Sequence, residues 1–191
     1  MPLACVCCVV LASCDRSSSS LSLKATDITG ADFGLDLQLS DFNGQARKLA
    51  DFRGKAVVVF FGYTHCPDVC PTTMSELASA MKKLGAEADK VQVLFVTADP
   101  ERDTPEILKQ YVTAFDPRFL GLRGTSEQTA QAAKDFKVLI QKNPGNAASY
   151  TVDHSSGTYL YDPQGRLRVY VSYGQGADVF AHDIAALLKA S

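Results

Sequence analysis

The pattern of apolar and polar positions changes rhythm at residues 57–74, VVVFFGYTHCPDVCPTTM, and the rest of the chain is arranged around that change. Residues 57–61 form an unbroken apolar run of β-branched and aromatic side chains, which predicts a buried strand. Gly62 breaks the run. Beyond Pro71 the apolar positions Met74, Leu77, Ala78, Met81 and Leu84 recur at helical spacing. Proline is well tolerated in the first helical turn, so Pro71 marks the helix start. Between strand and helix stand Cys66 and Cys70, in a CxxxC spacing.

The same reading extends along the chain. Residues 33–41 alternate, with Phe33, Leu35, Leu37 and Leu39 on one side, and predict a half-exposed strand. Asn43-Gly44 is a hairpin turn signal. Residues 91–98 predict a second buried strand. Thr104 has the chemistry of an N-cap, with Pro105 at the first helical position. Ile107, Leu108, Tyr111, Val112 and Phe115 then make a helical stripe. A short strand at 119–122, a helix from Ser126 to about Phe136 and a loop at 143–149 follow. Residues 158–161 and 167–171 are apolar or alternating around Asp162-Pro163-Gln164-Gly165, a hairpin with its turn. An amphipathic helix over 178–189 closes the chain. This order predicts a thioredoxin-like three-layer α/β sandwich with a mixed central sheet and an N-terminal β-hairpin.

Composition narrows the function classes. The chain has 191 residues, a net charge of −2, and 46% hydrophobic residues, enough for a core in one domain. No basic or arginine-rich stretch calls for nucleic acid. Of six cysteines, four fall in the first fourteen residues, so the body is not stapled by a disulfide framework and holds one cysteine pair. The apolar segment 1–13 is too short for a bilayer span, which needs about 20 apolar residues, and has the length of an export signal's hydrophobic part. It ends in Leu11-Ala12-Ser13-Cys14, which resembles a bacterial lipoprotein signal with Cys14 as the acylated residue, although no lysine or arginine precedes the run. Asp15 resembles an inner-membrane retention signal. Residues 14–30, serine-rich at 16–22, are expected to be a flexible tether, and 31–191 the folded domain, a monomer.

Thiols at a strand-to-helix corner face the positive end of the helix dipole, which favours the thiolate, both nucleophile and metal-binding form. Residues four apart on a helix have Cβ atoms roughly 5–6 Å apart, whereas a disulfide wants about 3.8 Å. A Cys66–Cys70 disulfide therefore needs some adjustment by the loop, and one soft metal ion held between the sulfurs is at least as natural. The third group is His154, in a turn that faces the cysteine corner in thioredoxin-like folds. Two thiolates and an imidazole suit copper in either oxidation state; zinc also binds such donors, but structural zinc sites are closed by four protein ligands. The bland alternative for His154 is a hydrogen-bonded loop histidine. His65 is the rival ligand, but neighbours in an extended segment point to opposite sides. His182, in the last helix, reads as a surface residue.

Three segments together, Gly62-Tyr-Thr-His-Cys-Pro-Asp-Val-Cys-Pro71, Asp99-Pro-Glu-Arg-Asp-Thr104 and Val152-Asp-His-Ser155, resemble the Sco/SenC family of copper chaperones over about residues 37–188. The resemblance implies copper binding through Cys66, Cys70 and His154, and a role in assembling the CuA centre of cytochrome c oxidase subunit II. It also implies an upstream periplasmic copper donor or thiol reductant, and a place on the periplasmic face of the inner membrane, lipid-anchored at Cys14. Some members look more like thiol–disulfide reductases, in which Cys66 would attack and Cys70 resolve. A thiol peroxidase is the third and weakest reading. Asp68 and Asp153 beside the ligands either tune them or cap turns; residues 99–103 read as a loop closed by an ion pair.

Overall fold

The apolar run at 57–61 lies within a strand, Ala56–Gly62, in which every residue is buried. A computed structural model describes residues 21–143 and 150–190. In chain order the elements are β1 (Thr26–Asp27), β2 (Gln38–Asp41), β3 (Ala46–Lys48), β4 (Ala56–Gly62), α1 (Val69–Leu84), β5 (Val91–Thr97), α2 (Pro105–Phe115), β6 (Leu120–Arg123), α3 (Ser126–Asp135), β7 (Ile140–Asn143), β8 (Thr151–His154), β9 (Thr158–Tyr161), β10 (Leu167–Val171) and α4 (Ala177–Lys189).

Eight strands form one sheet in the order β1-β10-β9-β4-β5-β6-β2-β3. The middle pairs β4–β5 and β5–β6 are parallel, while β9 and β2 join them antiparallel. The sheet is therefore mixed, as the element order predicts. Successive side chains of a strand point to opposite faces, and both faces are covered here. Val58, Phe60, Val93 and Phe95 pack with Met74, Leu77 and Met81 of α1, Leu108 and Val112 of α2, and Phe180 and Ile184 of α4. Val57, Val59, Phe61, Leu94 and Val96 pack on the other side with Ala132 and Ala133 of α3 and with Leu37 and Leu39. Burial on both faces is why these strands read as continuous apolar runs instead of alternating ones. The result is the expected three-layer thioredoxin-like sandwich.

The N-terminal hairpin is β2–β3, turned at Gly44 with φ +79°. Its strand is shorter than the alternation suggests. Gly34 sits at φ +62°, a left-handed conformation that an extended strand does not contain, and Leu35 beside it is 67% exposed. The expected tether also gives way earlier than residue 30. Leu21, Leu23 and Ala25 pack on the core, the Lys24 and Ala25 amides donate to the buried Asp183 carboxylate at 2.8 and 2.9 Å, and β1 pairs with β10. Asp183 also meets the His182 ring at 2.8 Å, so that histidine is a partnered residue and not a bare surface one. The signal at 1–13, Cys14, Asp15, residues 16–20 of the serine-rich stretch and residues 144–149 of the expected loop lie outside the described residues. Among the described residues, no helix is long and apolar enough to cross a membrane.

One element was not foreseen. β7 and β8 pair antiparallel as a separate two-stranded sheet, an arm standing apart from the main one. His154 is the last residue of this arm, before the chain enters β9.

Candidate metal centre

In an open α/β sheet the crevice beyond the carboxyl ends of parallel strands is where sites are built. β4 ends at Gly62 and β5 at Thr97, side by side. From Gly62 the chain turns through Tyr63 and Thr64 into α1. A Cβ on Gly62 would meet the Cys70 sulfur at 2.9 Å and the Phe95 ring at 2.8 Å, so glycine here makes room for the inner sulfur. Cys66 precedes the helix and is half-buried; Cys70, in its first turn, is fully buried. Both are free thiols.

The Cys66 sulfur accepts from the Cys70 amide at 3.4 Å. The Cys70 thiol and the Asp68 amide also donate to it, and these bonds outweigh burial and bring the Cys66 thiol down to about 5. Cys70 moves the opposite way: donating to Cys66, and buried besides, it holds its proton well above the ordinary thiol range. At neutral pH the pair is one outer thiolate and one inner thiol.

His154 arrives from the arm. Its Nε2 is 3.3 Å from the Cys70 sulfur and its Nδ1 is 3.0 Å from the Ser155 carbonyl. A carbonyl only accepts, so Nδ1 carries the proton in the neutral ring and Nε2 turns its lone pair toward the sulfurs. Phe60 and Tyr63 meet the ring edge-on, with centroids 6.1 and 6.0 Å away. One ligand atom from each of Cys66, Cys70 and His154 lies within 4.8 Å of the other two, a three-donor set of soft sulfur and imidazole nitrogen.

The other sequence candidates fall elsewhere. His65 is turned away, its ring against the Thr64 hydroxyl at 3.2 Å and Asp103 at 3.8 Å. Asp68 serves the site through its backbone amide, not its carboxylate. Asp153 is exposed and faces Gln141 across the arm.

The local sequence pattern did not announce the residues that hold the two halves in place. Asp103, fully buried, accepts from the Thr64 amide at 3.1 Å, the Thr64 hydroxyl at 2.6 Å and the Thr97 hydroxyl at 2.5 Å, fixing the cysteine turn to the end of β5. One place earlier in the same loop, Arg102 pairs with buried Asp99 and donates to the Tyr150 carbonyl at 3.0 Å. The ion pair closing residues 99–103 is thus present and also reaches the arm. A threonine, an aspartate and a second threonine at 64, 103 and 97 are too far apart in sequence to read as a unit.

The fold and the donor set define a thioredoxin-like dithiol protein whose three converging donors could hold a metal ion. Comparison with known proteins gives this class its family: the SCO1/SenC family model matches residues 25–189, and the chain belongs to that family. The mitochondrial SCO2 homologue of Mus musculus is 41% identical over 152 residues, 78% of this chain and 60% of that protein. The chain therefore spans about six tenths of the length of that relative. Among solved structures, copper-bound ScoI of Bradyrhizobium japonicum has a TM-score of 0.75 at 39% identity, covering 83% of this chain and 100% of that one. Apo Sco1 of Thermus thermophilus has a TM-score of 0.79 at 38% identity, covering 89% and 99%.

Proposed function

We propose that this protein carries one copper ion between Cys66, Cys70 and His154 and hands it on during assembly of cytochrome c oxidase, at the CuA centre of subunit II. The observation that carries the reading is the convergence of two sulfurs and one imidazole nitrogen within 4.8 Å, from segments 84 residues apart. Copper is the cargo here. Sulfur donors suit Cu(I), and the imidazole extends the set to Cu(II). The outer thiolate is ready to receive the ion, and the inner thiol gives up its proton as the second sulfur closes on it. Three protein donors leave a coordination position through which an acceptor's thiol or imidazole enters before any donor departs. Copper-bound ScoI at 39% identity supports copper over zinc. A lipid anchor at Cys14 on the periplasmic face, and an upstream copper donor or thiol reductant, complete the proposal.

The test is titration of the fully reduced protein with Cu(I) and with Cu(II), followed by metal analysis and absorption spectra, in wild type and His154→Ala. About one copper per chain, held more weakly and with an altered Cu(II) spectrum in the variant, is the expected result. No retained copper, or identical binding in both proteins, overturns the assignment.

The depth difference of the two thiols, with the low-pKa one outermost, favours a second reading: a dithiol reductase acting on a target disulfide. The Cys66 thiolate attacks one target sulfur, the other leaves as a thiolate, and Cys70 then displaces the target to close a Cys66–Cys70 disulfide. An electron donor must reduce the pair again. Turnover of a disulfide substrate that persists in His154→Ala separates this reading from copper carriage.

A further inference from the structure

The sulfurs and the imidazole are borne by different bodies. The cysteines sit where the main sheet passes into α1, while His154 ends a two-stranded arm outside that sheet. Something must set the gap between them. The arm packs through Val152, which is buried and whose amide donates to the Tyr63 phenol. Ile140 packs on the core as well, and a further attachment runs through one loop, residues 99–103.

Arg102 makes that attachment. Its guanidinium lies 3.6 Å over the Tyr150 ring and donates to the Tyr150 carbonyl at 3.0 Å. It pairs with Asp99, which is fully buried, and Asp99 in turn accepts from the Tyr150 hydroxyl at 2.6 Å. Ring, carbonyl and hydroxyl of one tyrosine are thus held together. Tyr150 immediately precedes β8, four residues before His154, and a strand that short moves as a unit. The same guanidinium also lies 5.9 Å over Tyr63, which abuts the imidazole. The other end of the loop, through Asp103, grips the cysteine turn. One loop therefore brackets both halves of the centre.

We propose that Arg102 is a positioning residue for His154: by clamping Tyr150 it keeps the imidazole seated against the sulfurs in the metal-free protein, so that the three-donor site exists before the ion arrives. This rests on the copper reading above for its consequence, though not for the clamp itself. Only a planar fork can stack on a ring while donating to a carboxylate and a carbonyl, so lysine is not an equivalent. If the arm of a variant is seated only a tenth of the time, the apparent affinity falls about tenfold.

The experiment uses the full chain and two variants. Arg102→Lys keeps a positive charge beside buried Asp99 and so protects the fold; Tyr150→Leu removes the clamped ring and leaves Arg102 in place. The first readout needs no metal: the rate at which diethylpyrocarbonate modifies His154 in the reduced apo protein, with His65 as internal reference, mapped by mass spectrometry. A several-fold rise for His154 in both variants, with His65 unchanged, is expected. The second is copper affinity by competition, with Arg102→Lys combined with His154→Ala. The expected loss of about tenfold from Arg102→Lys disappears once His154 is gone. Unchanged His154 modification in both variants, or an equal loss of affinity with and without His154, overturns the proposal. A wild type that holds no copper removes the copper reading instead, while the modification rates still decide the clamp.

Discussion

The Nε2 of His154 faces the Cys70 sulfur at 3.3 Å because its Nδ1 is engaged with the Ser155 carbonyl at 3.0 Å. One hydrogen bond to the histidine's own neighbour fixes both the ring's orientation and the tautomer that leaves a lone pair for the metal. Removing a bond that supports a ligand costs roughly 10–100-fold in metal affinity. Losing the ligand itself is expected to cost at least that much. His154→Ala should therefore lower copper affinity by about two orders of magnitude or more, measured by competition with a chromogenic chelator.

The two thiols should answer alkylation differently. With Cys66 brought down to about 5, its thiolate persists in mildly acid solution and disappears only as pH falls through that value. Cys70 is shifted upward and buried. Iodoacetamide followed by peptide mapping should label Cys66 at pH 6, with a rate midpoint near 5, and leave Cys70 unlabelled at the same pH. Equal labelling of both would contradict this proton arrangement.

Metal binding should release protons in a defined number. At pH 7 Cys66 is already ionised while Cys70 holds its proton, so it is the Cys70 proton that has to leave. About one proton per copper is expected, measured by calorimetry in buffers of different ionisation enthalpy. Release of none would mean that Cys70 is already ionised in the apo protein.

Gly62 is the packing constraint beneath the site. Alanine there would place its Cβ 2.9 Å from the Cys70 sulfur and 2.8 Å from the Phe95 ring. Overpacking of this kind costs about 1–3 kcal/mol. Gly62→Ala should lower the unfolding free energy from denaturant titration by that amount and disturb copper binding at the same time. A variant of unchanged stability would show that the inner sulfur has slack.

Asp103→Ala strips an acceptor from the Thr64 amide and from the hydroxyls of Thr64 and Thr97. Each buried donor left without a partner costs about 1–3 kcal/mol. A loss of about 3 kcal/mol is expected by equilibrium denaturation, together with freer alkylation of Cys70 as the cysteine turn loosens.

Much of this molecule is legible in its sequence, and what is not has a physical reason. Residues 57–61 declare a buried strand because both sheet faces are covered. Thr104 caps α2 by accepting from the Ile107 amide, with Pro105 following it, as the residue chemistry requires. Cys66, Cys70 and His154 can be picked out as donors, and they do converge. The arm β7–β8 escapes because its strands are four residues each and mostly exposed, with Val152 the one buried residue. Too few apolar positions remain to set a period. The contact between Arg102 and Tyr150 escapes for another reason. The two are 48 residues apart, and stacking of a cation on a ring leaves no spacing rule in a sequence. Residues 21–30 look like linker because their hold is mostly backbone, donated to Asp183 and to β10.

Because β8 lies outside the eight-stranded sheet, a displacement of His154 with its arm would leave every rung of the central ladder paired. In the proposed copper role, unloading would be a local event, set apart from global unfolding and drawing on a much smaller reserve of contacts. A carrier of the proposed kind would then be emptied and refilled with its scaffold intact.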